Sequence, residues 1–314
     1  MEIYQLRYFV NVAEEGNFTK AASRSNISQP SLSQQVLNLE EELNQKLFHR
    51  MGRRLVLTDA GHQLLEGARR ILAEADNTLR ELREDTKLGY RVSVGAIPTV
   101  AHFFLHAVVA YCRANEIKIK LRSQEDFRAA IVQAVLDGEL DWGVISLPLV
   151  EPKLEIIPLF KEPLLLALGA EHPLARAEKI TLADLRDQNF ILTGSASTVA
   201  SLIIQRFSGE FDFRPNITHR CAQLSTLKSL TAMGLGVSIL PRSARSANDP
   251  EGLVYRRLEG PPLIREIALI RHRRRHLSKG AHLFEDAAHA VVGPLKEMAP
   301  AGSAVARVAP AEIV

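Results

Sequence analysis

The sequence predicts an α/β protein built as a small all-α head, one long connecting helix and a larger body of two α/β subdomains. Three observations carry this. Residues 18–37, FTKAASRSNISQPSLSQQVL, read as two short helices around a tight turn. Residues 59–82 hold a narrow apolar stripe whose members are spaced alternately three and four apart. From about Gly89, short β-rich runs alternate with helical stripes, the pattern of a sheet wrapped by helices.

Composition narrows the classes without choosing among them. A chain of 314 residues holds two domains or one large one. Two cysteines make no disulfide framework, and no apolar run approaches the ~20 residues of a membrane span. The N-terminal MEIYQLRYF lacks the basic-then-apolar order of an export signal, so a cytoplasmic protein with no membrane partner is expected. A net charge of +3 is too small to announce a nucleic-acid partner. Within residues 1–58, seven Lys and Arg face six Glu, so any such reading rests on arrangement.

In the head, Ile3, Leu6, Phe9, Val10 and Ala13 form one helical stripe, expected to pack behind the next two helices with Phe9 and Phe18 as aromatic core. Ala21 and Ala22 give the following helix a small face that another helix can approach closely. Asn26 stands at the reversal, where a left-handed backbone is needed. Ser28 is an N-cap, and Pro30 falls in the first turn, where its missing N–H is harmless. Leu32, Val36 and Leu39 repeat at i, i+4 and i+7 and mark the buried face. The other face carries Ser31, Ser33, Gln34, Gln35 and Asn38, short polar groups suited to meeting hydrogen-bonding edges. This is a helix-turn-helix, and its second helix is the one placed to read DNA. Leu43, Leu47 and Phe48 continue the core around a turn at Asn44. HRMGRRLVLTDAG then reads as a β-wing, with Arg53 and Arg54 at a tip suited to phosphate or minor-groove contact. A solvated hairpin is the alternative.

Thr58 caps the long helix, and Asp59 places a favourable charge at its start. Leu65, Ala68, Leu72, Ala75, Leu79 and Leu82 make an a/d heptad seam. A core helix of one globular domain is the alternative, but the stripe is narrow and its other positions are charged or small. Two helices pairing between subunits fit better, and would let two reader helices meet half-sites about one DNA turn (~34 Å) apart.

Taken together, FTKAASRSNISQPSLSQQVLNLEEELNQKLFHRMGRRLVLTDAG resembles the winged helix-turn-helix of the LysR-type transcriptional regulators almost position by position. The resemblance extends over nearly the whole chain. Asn44 departs from it where the family commonly has glycine, and both residues accept a left-handed backbone. The resemblance implies a homodimer or tetramer that binds double-stranded promoter DNA, answers to a small-molecule effector and needs no cofactor. The DNA-facing set expected is Phe18, Thr19, Lys20, Ala21, Ala22, Ser28, Gln29, Pro30, Ser31, Ser33, Gln34, Gln35, Arg50, Arg53 and Arg54. Of these, Gln29, Ser31, Ser33, Gln34 and Gln35 are expected at bases, because Gln pairs bidentately with adenine and Ser meets several bases. Lys20, Arg53 and Arg54 are expected at phosphates.

In the body, RVSVGAI and IKIKLRS read as strands around the helix PTVAHFFLHAVVAYCRAN. RAAIVQAVLDGEL is a second helix leading into the buried strand DWGVISL. A second unit runs from about Glu162 to Pro262, with VASLIIQRFSGEF and STLKSLTAMGLG as helices and VSILP as a strand. IREIALIRH is a strand that returns to the first sheet. Mostly parallel pairing is expected. The outcome is two α/β subdomains joined by two crossings, as in periplasmic-binding-protein-like sensor domains, and the family resemblance implies the same. The domains expected are residues 1–58 for DNA binding, 59–88 for linkage and dimerisation, and 89–297 for the effector. Within the last, subdomain I takes 89–161 and 267–297 and subdomain II takes 162–266. The weakly patterned tail, 298–314, reads as mobile.

Such a fold holds its ligand between the subdomains, at carboxyl ends of strands and N-termini of helices. Thr99, then Ser195, Ala196, Ser197 and Thr198, then Gln223, Ser225 and Thr226 stand at three such places. Ser123, Gln124 and Ser146 are further wall candidates. Hydroxyls beside free helix N–H groups favour an organic anion. Ordinary capping is the alternative at each position, and their convergence is what the family fold implies.

Other readings carry less. GAIPTV and LDGELD resemble the peroxide-responsive branch of the family, which makes a thiol switch at Cys112 or Cys221 an alternative. That branch carries its cysteine pair in and just after the loop where this chain has TGSASTVASL, without cysteine. His272 and His276 lie among Arg271, Arg273, Arg274 and Arg275, a poor place for a metal; a solvated basic loop, with oligomer or RNA polymerase contact as the remainder, fits better. No GxSxG elbow, phosphate-binding glycine loop, HExxH or paired cysteine ligand set points to an enzyme. A small-molecule binding protein without DNA function would leave the first 88 residues idle.

Overall fold

The computed structural model describes residues 1–51, 54–82, 89–193, 209 and 214–297. The helix expected over VASLIIQRFSGEF and the tail at 298–314 lie outside these. The head begins with α1 (Ile3–Glu15), α2 (Phe18–Arg24) and α3 (Gln29–Leu43). Asn26 and Asn44 turn the chain with φ of 54° and 49°, the left-handed backbone expected of them. Ser28 Oγ accepts from the Ser31 N–H and caps α3, with Pro30 in the first turn. Strands β1 (Phe48–Met51) and β2 (Arg54–Leu57) pair antiparallel as the wing, with Met51 opposite Arg54. Thr58 Oγ1 then accepts from the Gly61 N–H and starts α4 (Asp59–Leu82).

Two core clusters hold the head. Val12, Ala21, Ala22, Leu32 and Val36 join the first three helices, and the two alanines allow the close approach their size promised. Leu6, Phe9, Val10, Leu39 and Leu47 close on Ala68 and Leu72 of α4. Ile3 is exposed and Val12 takes its place in the core, because the stripe turns inward only where α2 and α3 meet it. The heptad seam is therefore divided. Ala68 and Leu72 are 0% and 7% exposed against their own chain, while Leu79 is 50% exposed; Ile71, outside the seam, is 42% exposed. Spacings of three and four serve an intrachain core and a two-helix seam equally, so the sequence pattern does not separate the two uses.

The first part of the body is β3 (Tyr90–Ala96), α5 (Pro98–Ala114), β4 (Ile119–Glu125), α6 (Arg128–Leu136) and β5 (Trp142–Ser146). Then β6 (Leu154–Gly169) leads into β7 (Asn189–Thr193), β8 (Asn216–Cys221), α7 (Leu224–Ala232), β9 (Ser238–Pro241) and β10 (Leu253–Arg256). The chain returns through β11 (Ile264–His272) and ends its described part in α8 (Lys279–Glu297). Among the named strands of the described residues, pairing is parallel only for β3 with β4 and β5, and for β7 with β8. The expectation of a mostly parallel sheet is corrected by β6 and β11, which run antiparallel to each other and to their remaining neighbours. Two strands crossing between subdomains in opposite directions pair that way.

The long strand β6 tolerates two prolines. Its register with β11 shifts between Ile267, opposite Phe160, and Ala268, opposite Pro158, leaving Leu159 as an extra residue beside the first proline. In subdomain I, α5 and α8 cover one sheet face and α6 the other. Trp142, fully buried, donates its indole N–H to the Ala281 carbonyl of α8 at 2.9 Å. In subdomain II, α7 packs Leu227 against Ala167, Ile191 and Leu240.

At the crossing, Glu162 of β6 lies opposite Arg265 of β11. Arg265 is 1% exposed and donates Nε–H to Glu162 Oε1 at 2.8 Å. The same guanidinium reaches Thr99 Oγ1 at 2.6 Å and the Thr99 carbonyl at 3.1 Å, and Glu162 Oε2 accepts from the Ser243 N–H at 3.0 Å. Burial pulls the Arg265 pKa down, while the Glu162 carboxylate opposes the shift. Replacing Arg265 by methionine should leave a buried carboxylate without its cation and cost about 3–5 kcal/mol in urea denaturation. Adding Glu162→Leu should recover much of that loss; a single-variant cost below ~1 kcal/mol would mean that the pair is solvated.

Candidate nucleic-acid interface and effector cleft

The reader helix α3 keeps one side out of the core. Ser28, Gln29, Pro30, Ser31 and Gln34 are exposed, and Ser33 is half-buried. The polar groups hold one another along the helix: Gln29 donates to Ser33 Oγ at 2.8 Å, Ser28 and Ser31 hydroxyls are 2.7 Å apart, and Gln34 donates to Asn38 at 2.9 Å. These one-turn pairs line the side chains up without burying them, so their donors and acceptors can be re-aimed at base edges. Thr19 and Lys20 are exposed at the start of α2, where Asn17 Oδ1 accepts from both backbone N–H groups.

Four members of the predicted set are corrected. Ala21 and Ala22 are 0% and 3% exposed, because they form the contact between helices and cannot reach a duplex. Gln35 is half-buried and accepts a hydrogen bond from Gln5 of α1 at 3.3 Å, so it joins the helices of the head. Phe18 is also half-buried, its ring 5.9 Å from Phe48 at the base of the wing. Arg53 and the side chains of Arg50 and Arg54 lie outside the described residues.

Glu40 enters the sequence analysis only through the charge balance of residues 1–58. It is 7% exposed; Oε1 accepts from the Leu47 N–H at 2.8 Å and Oε2 from Lys46 Nζ at 2.9 Å. The carboxylate thus satisfies the backbone between α3 and β1 and fixes where the wing leaves the helix. A signal was present, since Glu40 falls one turn after Val36 on the buried face.

The cleft candidates do not form one class. Thr99 is the second residue of α5, and its hydroxyl accepts from Arg265. Ser123 and Gln124 stand inside β4, opposite Val94 and Gly95, and not after the strand. Ser123 is exposed on this edge strand. Ser146 ends β5 but is 1% exposed, with a buried hydroxyl that lacks a hydrogen-bond partner among the described residues. Gln223 is the N-cap residue of α7 without a side-chain cap bond, and Thr226 is exposed in its first turn. Ser195, Ala196, Ser197 and Thr198 lie outside the described residues.

Buried charges tie the two cleft-bearing helices to the crossing. Lys228 of α7 contacts the Ala244 carbonyl and Asp249, and the Tyr255 hydroxyl donates to Asp249 at 2.9 Å. Burial, then Asp249, push the Tyr255 pKa up, so the phenol stays a donor. The segment so held carries Ser243, which donates to Glu162. Arg265 reaches back to Thr99 at the opening of α5. Both Arg265 and Glu162 sit at core parity on their strands, Arg265 with Ile267 and Leu269, Glu162 with Phe160 and Leu164.

The thiols and histidines have structural surroundings. Cys112 and Cys221 are buried in different cores, and burial raises both pKa values, which disfavours the reactive thiolate. The basic stretch leaves β11 as a turn in which Arg273, Arg274 and His276 are exposed, as in a solvated loop, while two of its arginines also bind their own body. Arg273 donates to the Leu154 carbonyl at 2.7 Å, and Arg275 donates to the Leu140 carbonyl at 2.8 Å and pairs with Asp141 at 3.0 Å. Desolvation, followed by Arg70, Lys153 and the neighbouring arginines, lowers the His272 pKa.

Comparison with known proteins agrees with this arrangement. Residues 3–62 match the bacterial regulatory helix-turn-helix protein model of the lysR family, and residues 86–293 match the LysR substrate binding domain. The Hca operon transcriptional activator HcaR of Escherichia coli K12 is 31% identical over 261 residues, 83% of this chain and 88% of HcaR. The crystal structure of full-length CbnR complexed with its target DNA superposes with a TM-score of 0.67 at 27% identity, covering 93% of this chain and 100% of CbnR. A full-length OxyR variant from Pseudomonas aeruginosa gives a TM-score of 0.67 at 27% identity, covering 92% of this chain and 98% of that one. The described helices include none long and apolar enough to cross a membrane. This chain belongs to the LysR family: it is a DNA-binding transcriptional regulator whose helix-turn-helix is joined to an effector-binding domain.

Proposed function

We propose that the chain regulates transcription from promoter DNA read by the exposed side of α3, under the control of an organic anion bound between the two subdomains. Residues 1–58 serve as the DNA-binding head, 59–88 as the linker, and 89–297 as the effector domain divided at the Glu162–Arg265 crossing. The observation that carries the reading is the α3 surface itself. Gln29, Ser31 and Gln34 are exposed and Ser33 is half-buried in the N-terminal turns of a helix whose Leu32, Val36 and Leu39 are locked into the head. Lys20, Arg50, Arg53 and Arg54 are its proposed phosphate ligands. Two copies pair along the unburied part of α4, with Ile71 and Leu79 as its exposed apolar residues, in the cytoplasm where promoter DNA lies.

The anion follows from Thr99. Its hydroxyl oxygen accepts from a guanidinium, which leaves its proton to donate outward at the α5 start. A ligand rich in acceptors suits that environment.

Two measurements check this reading. Gln29→Ala should weaken binding to promoter DNA by about 1–3 kcal/mol and spare random duplex, whereas Arg54→Ala should lower the salt dependence of binding on both. Equal loss by Gln29→Ala on both DNAs would remove Gln29 from base recognition. In a thermal-shift screen, small aliphatic and aromatic carboxylates should raise the unfolding midpoint where the matching carboxamides do not; no response to any carboxylate would overturn the anion assignment.

A further inference from the structure

Four charged side chains from three parts of the chain form one alternating row. Asp137 follows the last residue of α6 and is 5% exposed. It accepts from Gln133 at 2.9 Å and, through Oδ2, from Arg69 Nη1 of α4 at 2.9 Å. Arg69 turns Nη2 to Glu14 Oε1 of α1 at 3.1 Å. The other oxygen of Glu14 pairs with Arg24 Nη1, the last residue of α2, at 2.8 Å. The row therefore runs from the effector domain through the linker helix to both helices that support the reader. Arg69 Nε is buried without a partner among the described residues, so the two terminal nitrogens hold the guanidinium in place.

The helix and the body also touch directly beside this row. Gly138 has φ of +80°, and a Cβ there would stand 3.0 Å from the Ala73 Cβ of α4. Lys153 of the body pairs with Glu66 of α4 at 2.9 Å. At the opposite end of α6, Arg128 donates to the Pro148 carbonyl just beyond β5, on the side of the sheet where the strands present their carboxyl ends. One nine-residue helix thus spans from the cleft side to Asp137.

We propose that this row is the mechanical link between cleft and reader. A shift of α6 at its Arg128 end displaces Asp137, Arg69 follows, and Glu14 with Arg24 resets α2 against α1. Ion pairs whose arginines stay partly exposed suit the task, because each can be exchanged and the forked guanidinium fixes which two carboxylates move together. The direction of signalling rests on the cleft being the effector site, but the link itself is testable without a ligand.

The test is amide hydrogen exchange of the full chain, read by mass spectrometry on peptides covering residues 12–25. Asp137→Asn, a change made only in the effector domain, should speed exchange there roughly twofold to fivefold, the range of a partly exposed ion pair. Glu14→Gln should reciprocally speed exchange at the end of α6. Arg69→Lys keeps the charge but cannot fork, so it should reproduce both effects; it also decides the matter if Asp137→Asn fails to fold. Faster exchange confined to α6 in Asp137→Asn, or wild-type exchange throughout in Arg69→Lys, would overturn the link. Because no ligand is present, neither result depends on the anion assignment, and a failed carboxylate screen leaves this test intact.

Discussion

The effector domain depends on one buried ion pair. Two strands, β6 and β11, carry the chain between subdomains, and Glu162 and Arg265 face each other where they do so. A guanidinium at 1% exposure is tolerable only with its hydrogen-bonding capacity used, and here a carboxylate, a hydroxyl and a carbonyl use it. The partners come from both sides: Thr99 opens α5 in subdomain I, and Ser243 precedes the Lys228-held segment of subdomain II. Any change in the angle between subdomains has to be made around this pair. That places the crossing pair in contact with Thr99, the hydroxyl proposed to meet the effector.

The head solves a different problem, which is to present a polar helix face without letting it wander. Small alanines bring α2 close, Asn26 and Asn44 turn the backbone, and Glu40 ties the start of the wing to α3. The linker helix then completes the core with Ala68 and Leu72. The same helix grips the body through Arg69 and Glu66. Head and body are consequently attached to adjacent faces of one helix, which is what allows a rearrangement in one to be felt by the other.

Much of this was legible in residue order. The caps at Ser28 and Thr58, the turns at the two asparagines, and every strand and helix expected from Gly89 to Gly138 are local properties that propensity and periodicity report. What was missed is long-range. Periodicity cannot say whether Ala68 and Leu72 meet α1 or a second chain, since both contacts require the same spacing. Polarity suggests solvent for Glu40, Glu162, Arg265 and Arg275, whereas the first three are buried and Arg275 is partly buried, each against a backbone group or opposite charge supplied from elsewhere in the chain. Core parity on a strand or helix was the overlooked clue for the first three. The antiparallel pairing of the crossing strands was equally hidden, because hydrophobic alternation does not encode strand direction.

The central claim is that α3 reads DNA as one of a symmetric pair joined through α4. Selection of binding sites from random duplex DNA by the purified full chain tests it most directly. The account predicts enrichment of an inverted repeat whose half-site centres lie about one helical turn, ~10–10.5 base pairs, or a multiple of it apart. Enrichment of a single asymmetric half-site, or of no sequence over the input pool, would contradict it.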